Sequence, residues 1–418
     1  MSEAPAMKRA MKRLSSPVTM ASRIDRLASS AIGSVLRLAG SADMIALAAG
    51  SPAPETFGAA EVSEIMNRIL TTPDPLQYGE AEGMWVLREW IAANQSNLLG
   101  RDIGPARTVL THGSQQALDL LCKALLDPGD VVLVDRPSYV GALQVFNLFQ
   151  ATLVPVPIVE DDNLDQLDTA LRRGLRPKLL YVVPNFANPT GLTVSARQRE
   201  RLVELATRHG FVVVEDDPYG ELYYGDHGER PPAVAALSEE VVRIGSFSKV
   251  LFPAARLGYL TAPQPLVDVL IKLKQAADLV NSNLMQRIVY ELVSTPRVRA
   301  RPAARLAQAV PGAAGRPSHV RPRVTGRPTA VHHTGGWILR VGNAVRGSQC
   351  HHAAHRGARR AHLLRARAVL LRRRPRRHDL AAVVLLRHSR AARRGGATTS
   401  HSPQPGRAMR VVRTHVER

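Results

Sequence analysis

Residues 243–249 read Arg-Ile-Gly-Ser-Phe-Ser-Lys, and Arg256 follows seven positions after the lysine. This pattern predicts an apolar strand that ends in a turn of small residues and presents Lys249. A lysine held among small residues can form a Schiff base with an aldehyde, and hydroxyl groups with a guanidinium suit a phosphate. Taken alone, the segment is also compatible with a surface lysine and arginine after a strand, so the other segments decide between the two interpretations.

Two further apolar runs end in polar residues. Residues 179–183 are followed by Asn188 in an Asn-Pro-Thr-Gly sequence, which is first of all a turn. Residues 211–215 run into Asp216, with Tyr219 three positions later. An amide can donate to the phenolate oxygen of a pyridine cofactor, and a carboxylate at a strand end can keep a pyridinium nitrogen protonated. The two runs therefore indicate a site for a pyridine ring.

A third segment predicts an anion site. The strand-like residues 108–111 lead through Gly113 into a predicted helix that begins with Ser114 and Gln115. The first N–H groups of a helix have no partner within the helix and favour a negative charge. We therefore expect a phosphate to bind where this helix begins.

The spacing of the apolar runs indicates the fold class. Strands that alternate with helix-length segments favour an α/β fold with a mostly parallel sheet sandwiched by helices, and residues 264–293 predict one or two further helices. Polar residues that follow such strands meet at the carboxyl edge of the sheet. The predicted strands are residues 108–111, 131–135, 152–157, 179–183, 211–215, 241–245 and 257–261.

With these segments in place, the chain resembles the pyridoxal-phosphate-dependent class I/II aminotransferases, and within them the kynurenine and 2-aminoadipate aminotransferase group. The resemblance extends from about residue 28 to about residue 296 and also rests on Gly-Ser-Pro-Ala-Pro-Glu at 50–55, Leu-Gln-Tyr-Gly-Glu-Ala-Glu-Gly at 76–83 and Asp-Asp-Pro-Tyr-Gly-Glu-Leu at 216–222. It implies an aspartate aminotransferase-like large domain, pyridoxal 5'-phosphate as cofactor, and an amino acid and a 2-oxo acid as substrates.

The resemblance also implies roles for individual residues. Lys249 would be the Schiff-base lysine and proton shuttle, Asp216 would pair with the ring nitrogen, and Tyr219 would address the ring hydroxyl; these three are the predicted catalytic residues. Asn185 and Gly50 are the predicted substrate-binding residues. The remaining predicted cofactor-binding residues are Ser114, Gln115, Tyr139, Asn188, Ser246, Ser248, Arg256 and Tyr78. Tyr78 would reach the phosphate of a second subunit, so the resemblance implies a homodimer.

The last third of the chain differs in composition from the rest. Of the 56 basic and 35 acidic residues, residues 297–418 hold 28 arginines and two acids, which leaves 28 basic and 33 acidic residues before Arg297. Trp337 is the one aromatic residue after Tyr290, so this region has few large side chains from which to build a core. Such a composition is typical of a basic, disordered nucleic-acid-binding arm.

A displaced reading frame explains this region more specifically. Shifting the frame by one base permits Tyr-Arg-Glu-Arg-Arg-Asp-Ala-Leu across residues 309–317, Pro-Glu-Gly-Gly-Tyr-Phe-Val-Trp across 334–341, and two further family phrases across 364–370 and 380–384. We therefore predict a one-base insertion, or an equivalent two-base loss, between about residues 291 and 309. In the last phrase the codon of the family's substrate-carboxylate arginine is split across Ala381 and Ala382, so that clamp would be lost.

These observations divide the chain into an N-terminal arm at 1–45, a cofactor-binding large domain at 46–296 and a poorly ordered tail at 297–418, with the C-terminal small domain missing or disordered. Two cysteines predict neither a disulfide framework nor a metal site, and we expect a cytoplasmic protein without a membrane role. The alternatives left open are another pyridoxal-phosphate enzyme such as a lyase, a catalytically dead cofactor binder, and nucleic-acid binding through the tail, which is the remote one.

Overall fold

The computed structural model describes residues 20–26, 52, 54–161, 163–222 and 232–295. The tail from residue 297, most of the predicted N-terminal arm, and the predicted substrate-binding residue Gly50 lie outside the described residues. Ser22–Arg26 forms a short 3-10 helix by itself. The body of the molecule extends from residue 54 to residue 295.

Strands and α-helices alternate from residue 108 to residue 216 of this body. The strands are β1 Thr108–Thr111, β2 Val131–Asp135, β3 Thr152–Val156, β4 Pro177–Val182, β5 Val212–Asp216, β6 Val242–Ser246 and β7 Gly258–Thr261. The α-helices are α1 Ala59–Ile69, α2 Trp85–Leu99, α3 Gly113–Leu125, α4 Val140–Leu148, α5 Asp165–Arg172, α6 Ala196–His209, α7 Gln264–Asp278 and α8 Asn283–Ser294.

The seven strands form one sheet in the order β1-β7-β6-β5-β4-β2-β3. Strand β7 is antiparallel to both of its neighbours, and every other adjacent pair is parallel. This confirms the predicted α/β fold, and each predicted strand matches an observed one to within two residues at either end. The segment after β7 forms two helices, α7 and α8, as expected.

Successive side chains of each strand point to alternate faces of the sheet, and a hydrophobic core forms on each face. In β4, Leu179 and Tyr181 pack with α3, α4 and α7, whereas Leu180 and Val182 pack with α5 and α6. Successive side chains of a strand point to opposite faces, so a nearly continuous apolar run is what a sheet covered on both sides requires. A third cluster joins α1, α2 and α8 to the β1 and β7 edge of the sheet.

The register of β7 brings two strand ends together. Gly258 pairs with Thr111 at the end of β1 and with Ser246 at the end of β6. A Cβ on Gly258 would lie 2.8 Å from the carbonyl oxygen of Gly245 and 2.9 Å from the Cα of Gly113, so only glycine permits this close approach of three backbones. The turn after β6 and the start of α3 are thereby held at the same edge of the sheet.

Helix α6 has well-defined ends. The Ser195 hydroxyl accepts from the Gln198 N–H at 3.3 Å and the Gln198 side chain accepts from the Ser195 N–H at 2.9 Å, which is a capping box. Gly210 ends the helix with φ of 73°. No helix among the described residues combines the length and the apolar character that a membrane crossing needs.

Candidate active site

Asp216 is a buried carboxylate at the end of β5, with 2% of its surface exposed. Its Oδ2 accepts from the Tyr181 hydroxyl at 2.8 Å, whereas its Oδ1 is buried and has no hydrogen-bond partner among the described residues. Burial raises the pKa of Asp216 to about 6, although the hydrogen bond from Tyr181, the nearby Ser114 hydroxyl and the charge of Arg243 oppose the rise. A carboxylate oxygen that is buried without a protein partner is expected to meet a donor from a water or a ligand.

The two acids beside Asp216, Glu215 and Asp217, share one arginine as their partner. Arg243 on β6 lies opposite Glu215 in the register, and its Nη1 is 2.6 Å from Glu215 Oε1. Its Nη2 donates to Asp217 Oδ2 at 2.8 Å. Because Glu215 and Asp217 point away from Asp216 along the strand, one arginine serves both of them and the carboxylate of Asp216 faces the other side of the sheet.

Lys249 lies three residues beyond the end of β6, in the turn that contains Ser246 and Ser248. The Ser246 hydroxyl accepts from the Ser248 N–H at 3.2 Å, which holds the turn in shape. Burial lowers the pKa of Lys249, and the positive charge of Arg256 lowers it further. A larger share of the amine is therefore neutral near pH 7, which is the nucleophilic form.

Arg256 and the N-terminus of α3 meet at the joined strand ends. The Arg256 Nη2 donates to the His112 carbonyl oxygen at 3.1 Å, and a Cβ on Gly113 would lie 3.1 Å from the same nitrogen. Gly113 has φ of 72°, which favours glycine. Ser114 and Gln115 follow in the first turn of α3, where the Gln115 side chain donates to the Gly141 carbonyl at 3.1 Å. A guanidinium beside a helix N-terminus is an arrangement that suits a phosphate.

Tyr139, Tyr219 and Asn188 are linked to Asp216 by charge or through one another, and Tyr139 is also linked to Arg256. Burial raises the pKa of Tyr139; the charge of Asp216 adds to the rise and that of Arg256 opposes it, so Tyr139 is near both. Burial also raises the pKa of Tyr219, whose hydroxyl accepts from Asn188 Nδ2 at 3.5 Å. The Asn188 Oδ1 is a second buried oxygen without a hydrogen-bond partner among the described residues.

Asn185 is held by a residue that the sequence did not single out. Its Oδ1 accepts from the Nη2 of Arg199 at 2.8 Å, and Arg199, which is fully buried on α6, also donates to the Val194 and Pro184 carbonyls. The Asn185 Nδ2 has no hydrogen-bond partner among the described residues. The hydrogen bond from Arg199 thus fixes the side-chain amide of Asn185 and leaves its Nδ2 available to donate.

Two predicted site residues are not joined to the others by any contact that the described residues show. Tyr78 is 77% exposed and takes part in none of the hydrogen bonds described above, and Gly50 is outside the described residues. The structure does bring together the strand-end residues around Asp216 and the phosphate-type site around Arg256, with Lys249 linked to the latter by charge and Tyr139 linked to both.

Three contributing residues were missed by the sequence interpretation. Tyr181 and Arg243 each place a polar group among the buried positions of a strand, and that mismatch is a signal that could have drawn attention to them. Arg199 lies in an arginine-rich helix where nothing in the local pattern distinguishes it from exposed neighbours. Within the described residues, no group of three or more metal-ligating side chains is found.

Comparison with known proteins identifies relatives over the same part of the chain. The family model described as "Aminotransferase class I and II" matches residues 42–311. The chain is 37% identical over 273 residues to aromatic-amino-acid aminotransferase 1 of Thermococcus litoralis, which covers 63% of this chain and 65% of that protein. It is 39% identical over 291 residues to 2-aminoadipate transaminase of Thermus thermophilus, which covers 68% of this chain and 71% of that protein.

A solved structure extends the likeness to three dimensions. Alpha-aminoadipate aminotransferase from Thermus thermophilus, complexed with N-(5'-phosphopyridoxyl)-L-leucine, has a TM-score of 0.62 and 36% sequence identity, covering 69% of this chain and 72% of that one. The matches thus span about two thirds to seven tenths of the relatives' lengths.

Proposed function

Because the chain belongs to the class I and II aminotransferase family, we propose that it is built to transfer an amino group between an amino acid and a 2-oxo acid with pyridoxal 5'-phosphate as cofactor. The observation that carries the proposal is the shared sheet edge, where the buried carboxylate of Asp216, the turn of Lys249 and the guanidinium of Arg256 meet. Family membership and the cofactor class agree with the prediction from the sequence.

The residues present fit this cofactor. A pyridine ring nitrogen needs an acceptor, and Asp216 Oδ1 is a buried oxygen without a hydrogen-bond partner among the described residues. The phosphate needs donors, and the N-terminus of α3 lies beside Arg256 in a cradle that a side chain at Gly113 would fill. The phenolic oxygen needs a donor, which the adjoining Tyr219 and Asn188 supply. Ser246, Ser248 and Tyr139 complete the proposed binding set.

In this proposal the protein contributes orientation and proton transfer. Bound pyridoxal phosphate supplies a protonated ring that draws electron density from the substrate Cα. Asp216 would keep that ring nitrogen protonated, and the Lys249 amine would move a proton between the substrate Cα and C4′ of the cofactor. Asn185 directs its Nδ2 to the substrate carboxylate, since Arg199 already occupies its Oδ1.

The proposal includes a displaced reading frame for the tail at residues 297–418. The family match ends at residue 311, two residues beyond the interval in which we place the frame change. The chain as written would then lack the arginine that clamps the substrate carboxylate, and its turnover would be very low. A homodimer with Tyr78 reaching the partner's site, and a cytoplasmic location, belong to the same proposal; the exposure of Tyr78 and the sequence composition support them.

Product analysis tests the reaction class. Protein with the frame restored after about residue 296 is incubated with pyridoxal phosphate, one amino donor and one 2-oxo acid acceptor; the donors include 2-aminoadipate and aromatic amino acids, which the relatives' names suggest. We expect the donor's 2-oxo acid and the acceptor's amino acid to form in equal amounts. Product formation without any acceptor would instead identify a lyase.

A further inference from the structure

Tyr181 is a buried tyrosine to which the proposed function gives no role. Its relative exposure is 0%, and it lies on β4, the strand paired with β5. The ring packs edge-on against Phe146, with centroids 5.7 Å apart and planes at 69°. A ring held this way within the core of the α3, α4 and α7 face has a fixed direction. The position of its hydroxyl is therefore determined by packing.

The Tyr181 hydroxyl bonds one oxygen of the Asp216 carboxylate and leaves the other oxygen without a hydrogen-bond partner among the described residues. Tyr181 donates to Asp216 Oδ2 at 2.8 Å. The Ser114 hydroxyl also lies close enough to lower the pKa of Asp216, yet Oδ1 has no hydrogen-bond partner among the described residues. A carboxylate with one oxygen bonded to a fixed donor cannot rotate without losing that bond, so the direction of Oδ1 is set in advance.

The same hydrogen bond favours the charged form of Asp216. Burial raises the pKa of this carboxyl, and the donation from Tyr181 is the largest influence that opposes the rise. A pyridinium nitrogen pairs with a carboxylate far better than with a neutral acid. Tyr181 thus acts on both the direction and the charge of the group that is to meet the ring.

We propose that Tyr181 is a positioning residue that holds Oδ2 of Asp216 so that Oδ1 remains available to the ring nitrogen of the cofactor. This inference rests on the proposed function, since it assigns Tyr181 to the pyridoxal-phosphate site. It predicts that Tyr181 contributes to recognition of the ring nitrogen and not to recognition of the phosphate.

The test compares two cofactors that differ at a single ring atom. The full-length protein is titrated with pyridoxal phosphate and with 1-deazapyridoxal phosphate, in which carbon replaces the ring nitrogen, and the dissociation constants are compared as a ratio. Tyr181→Phe removes one oxygen and keeps the ring. We expect this variant to reduce the preference for pyridoxal phosphate about tenfold, as for loss of a hydrogen bond to a charged group, with little effect on the deaza compound.

Two further variants sharpen the comparison. Tyr259→Phe also removes one buried hydroxyl, which accepts from Gln95 Nε2 at 2.9 Å, and should leave the ratio unchanged. In Asp216→Asn the preference for the ring nitrogen should be absent, and adding Tyr181→Phe should then change nothing. Thermal unfolding of each apoprotein verifies that the variants are folded and reports any purely structural role of the hydroxyl.

Other outcomes would overturn the inference. If Tyr181→Phe weakens both compounds equally, the tyrosine supports the fold alone. If it leaves the ratio unchanged while Asp216→Asn lowers it, Asp216 is positioned without Tyr181. If the unmodified protein binds neither compound, the proposed cofactor site itself is wrong, and the inference about Tyr181 fails with it.

Discussion

The carboxyl group of Asp216 illustrates how one residue can weaken the fold in order to serve a site. It has a pKa of about 6 against an ordinary value of 3.8, and the first cause is burial. A group whose pKa is raised in the folded state stabilises the protein below its unfolded pKa, and this contribution is lost as the pH rises through the folded value. Ionised Asp216 therefore costs stability at neutral pH, and binding of a cationic ring would recover it.

Substitution of Asp216 by asparagine should reveal this cost. The apoprotein of Asp216→Asn is expected to be more stable than the unmodified apoprotein at pH 8, by an amount on the order of 3 kcal/mol, and to lose most of this advantage at pH 4. Urea unfolding at the two pH values measures the difference. Asp119→Asn, which alters a half-buried carboxyl on α3 paired with Lys123, is the matched control and should show no comparable advantage.

Lys249 is the second residue for which burial sets reactivity. Borohydride reduction of the protein with pyridoxal phosphate should attach the cofactor to the peptide that contains Lys249, and Lys249→Ala should abolish that attachment. Lys274 is an internal control, because burial lowers its pKa as well but it lies within the fold on α7, beside Asp278. Peptide mass analysis that finds the cofactor on Lys274 instead would contradict the assignment.

At the scale of elements, the junction of β1 with α3 needs glycine for two reasons, the backbone conformation and the space for a neighbouring side chain. Gly113 has a left-handed φ, and its missing side chain leaves room for the guanidinium of Arg256. The antiparallel strand β7 is what brings this junction next to the turn after β6, because it pairs with both.

Gly113→Ala should weaken phosphate recognition specifically. The new methyl group would lie 3.1 Å from Arg256 Nη2 and displace it. We expect the ratio of affinities for pyridoxal phosphate and pyridoxal to fall about tenfold, as for loss of a charge-assisted hydrogen bond. Gly100→Ala is a matched control, since Gly100 has φ of 65° and nothing within 4 Å of an added Cβ. An equal fall in both variants would show that backbone strain, not Arg256, is responsible.

The pairing of β5 with β6 depends on a buried charge network. Arg243→Met would leave Glu215 and Asp217 without their common partner, and because both are buried the loss should destabilise the protein by about 3–5 kcal/mol. Urea unfolding measures it. Arg136→Met breaks a pair with Glu160 in which both side chains are more than 60% exposed, and should cost less than about 1 kcal/mol. Similar losses in the two variants would mean that the buried network carries no special weight.

At the scale of the whole molecule, charge divides the chain in two. Residues before Arg297 carry a small excess of acids, whereas the 28 arginines that follow account for the net charge of +21. The strand-end groups proposed to hold the cofactor all precede residue 296, and the predicted substrate clamp does not. Cofactor binding and catalysis should therefore be separable in this protein.

Restoring the reading frame tests this separation. The chain as written should bind pyridoxal phosphate but turn over very slowly, because the predicted frame change would remove the clamp and leave the site open to water. The restored chain should transaminate at a rate ordinary for enzymes, about 10 per second, and Lys249→Ala within it should remove the activity. Steady-state kinetics of the three proteins decides the matter; comparable rates for the written and restored chains would refute the frame argument.

Local sequence patterns predicted the seven strands and the α/β fold class, and they named the residues of the candidate site. Apolar runs of strand length predicted seven strands, and the polar residues that follow three of these runs include Asp216, Asn188 and Lys249. They sufficed because side-chain alternation and turn chemistry act between residues that are close in the chain. The resemblance to a family then supplied the cofactor that joins these groups.

Tertiary structure alone decided which residues distant in the chain support the residues of the candidate site. Tyr181 bonds Asp216 across 35 positions, and Arg256 bonds the His112 carbonyl across 144. Such contacts depend on the order of strands in the sheet and on the antiparallel course of β7, neither of which local periodicity specifies. Nor does it distinguish Arg199 from the other arginines of α6, since burial of a charged side chain is settled only when several elements pack around it.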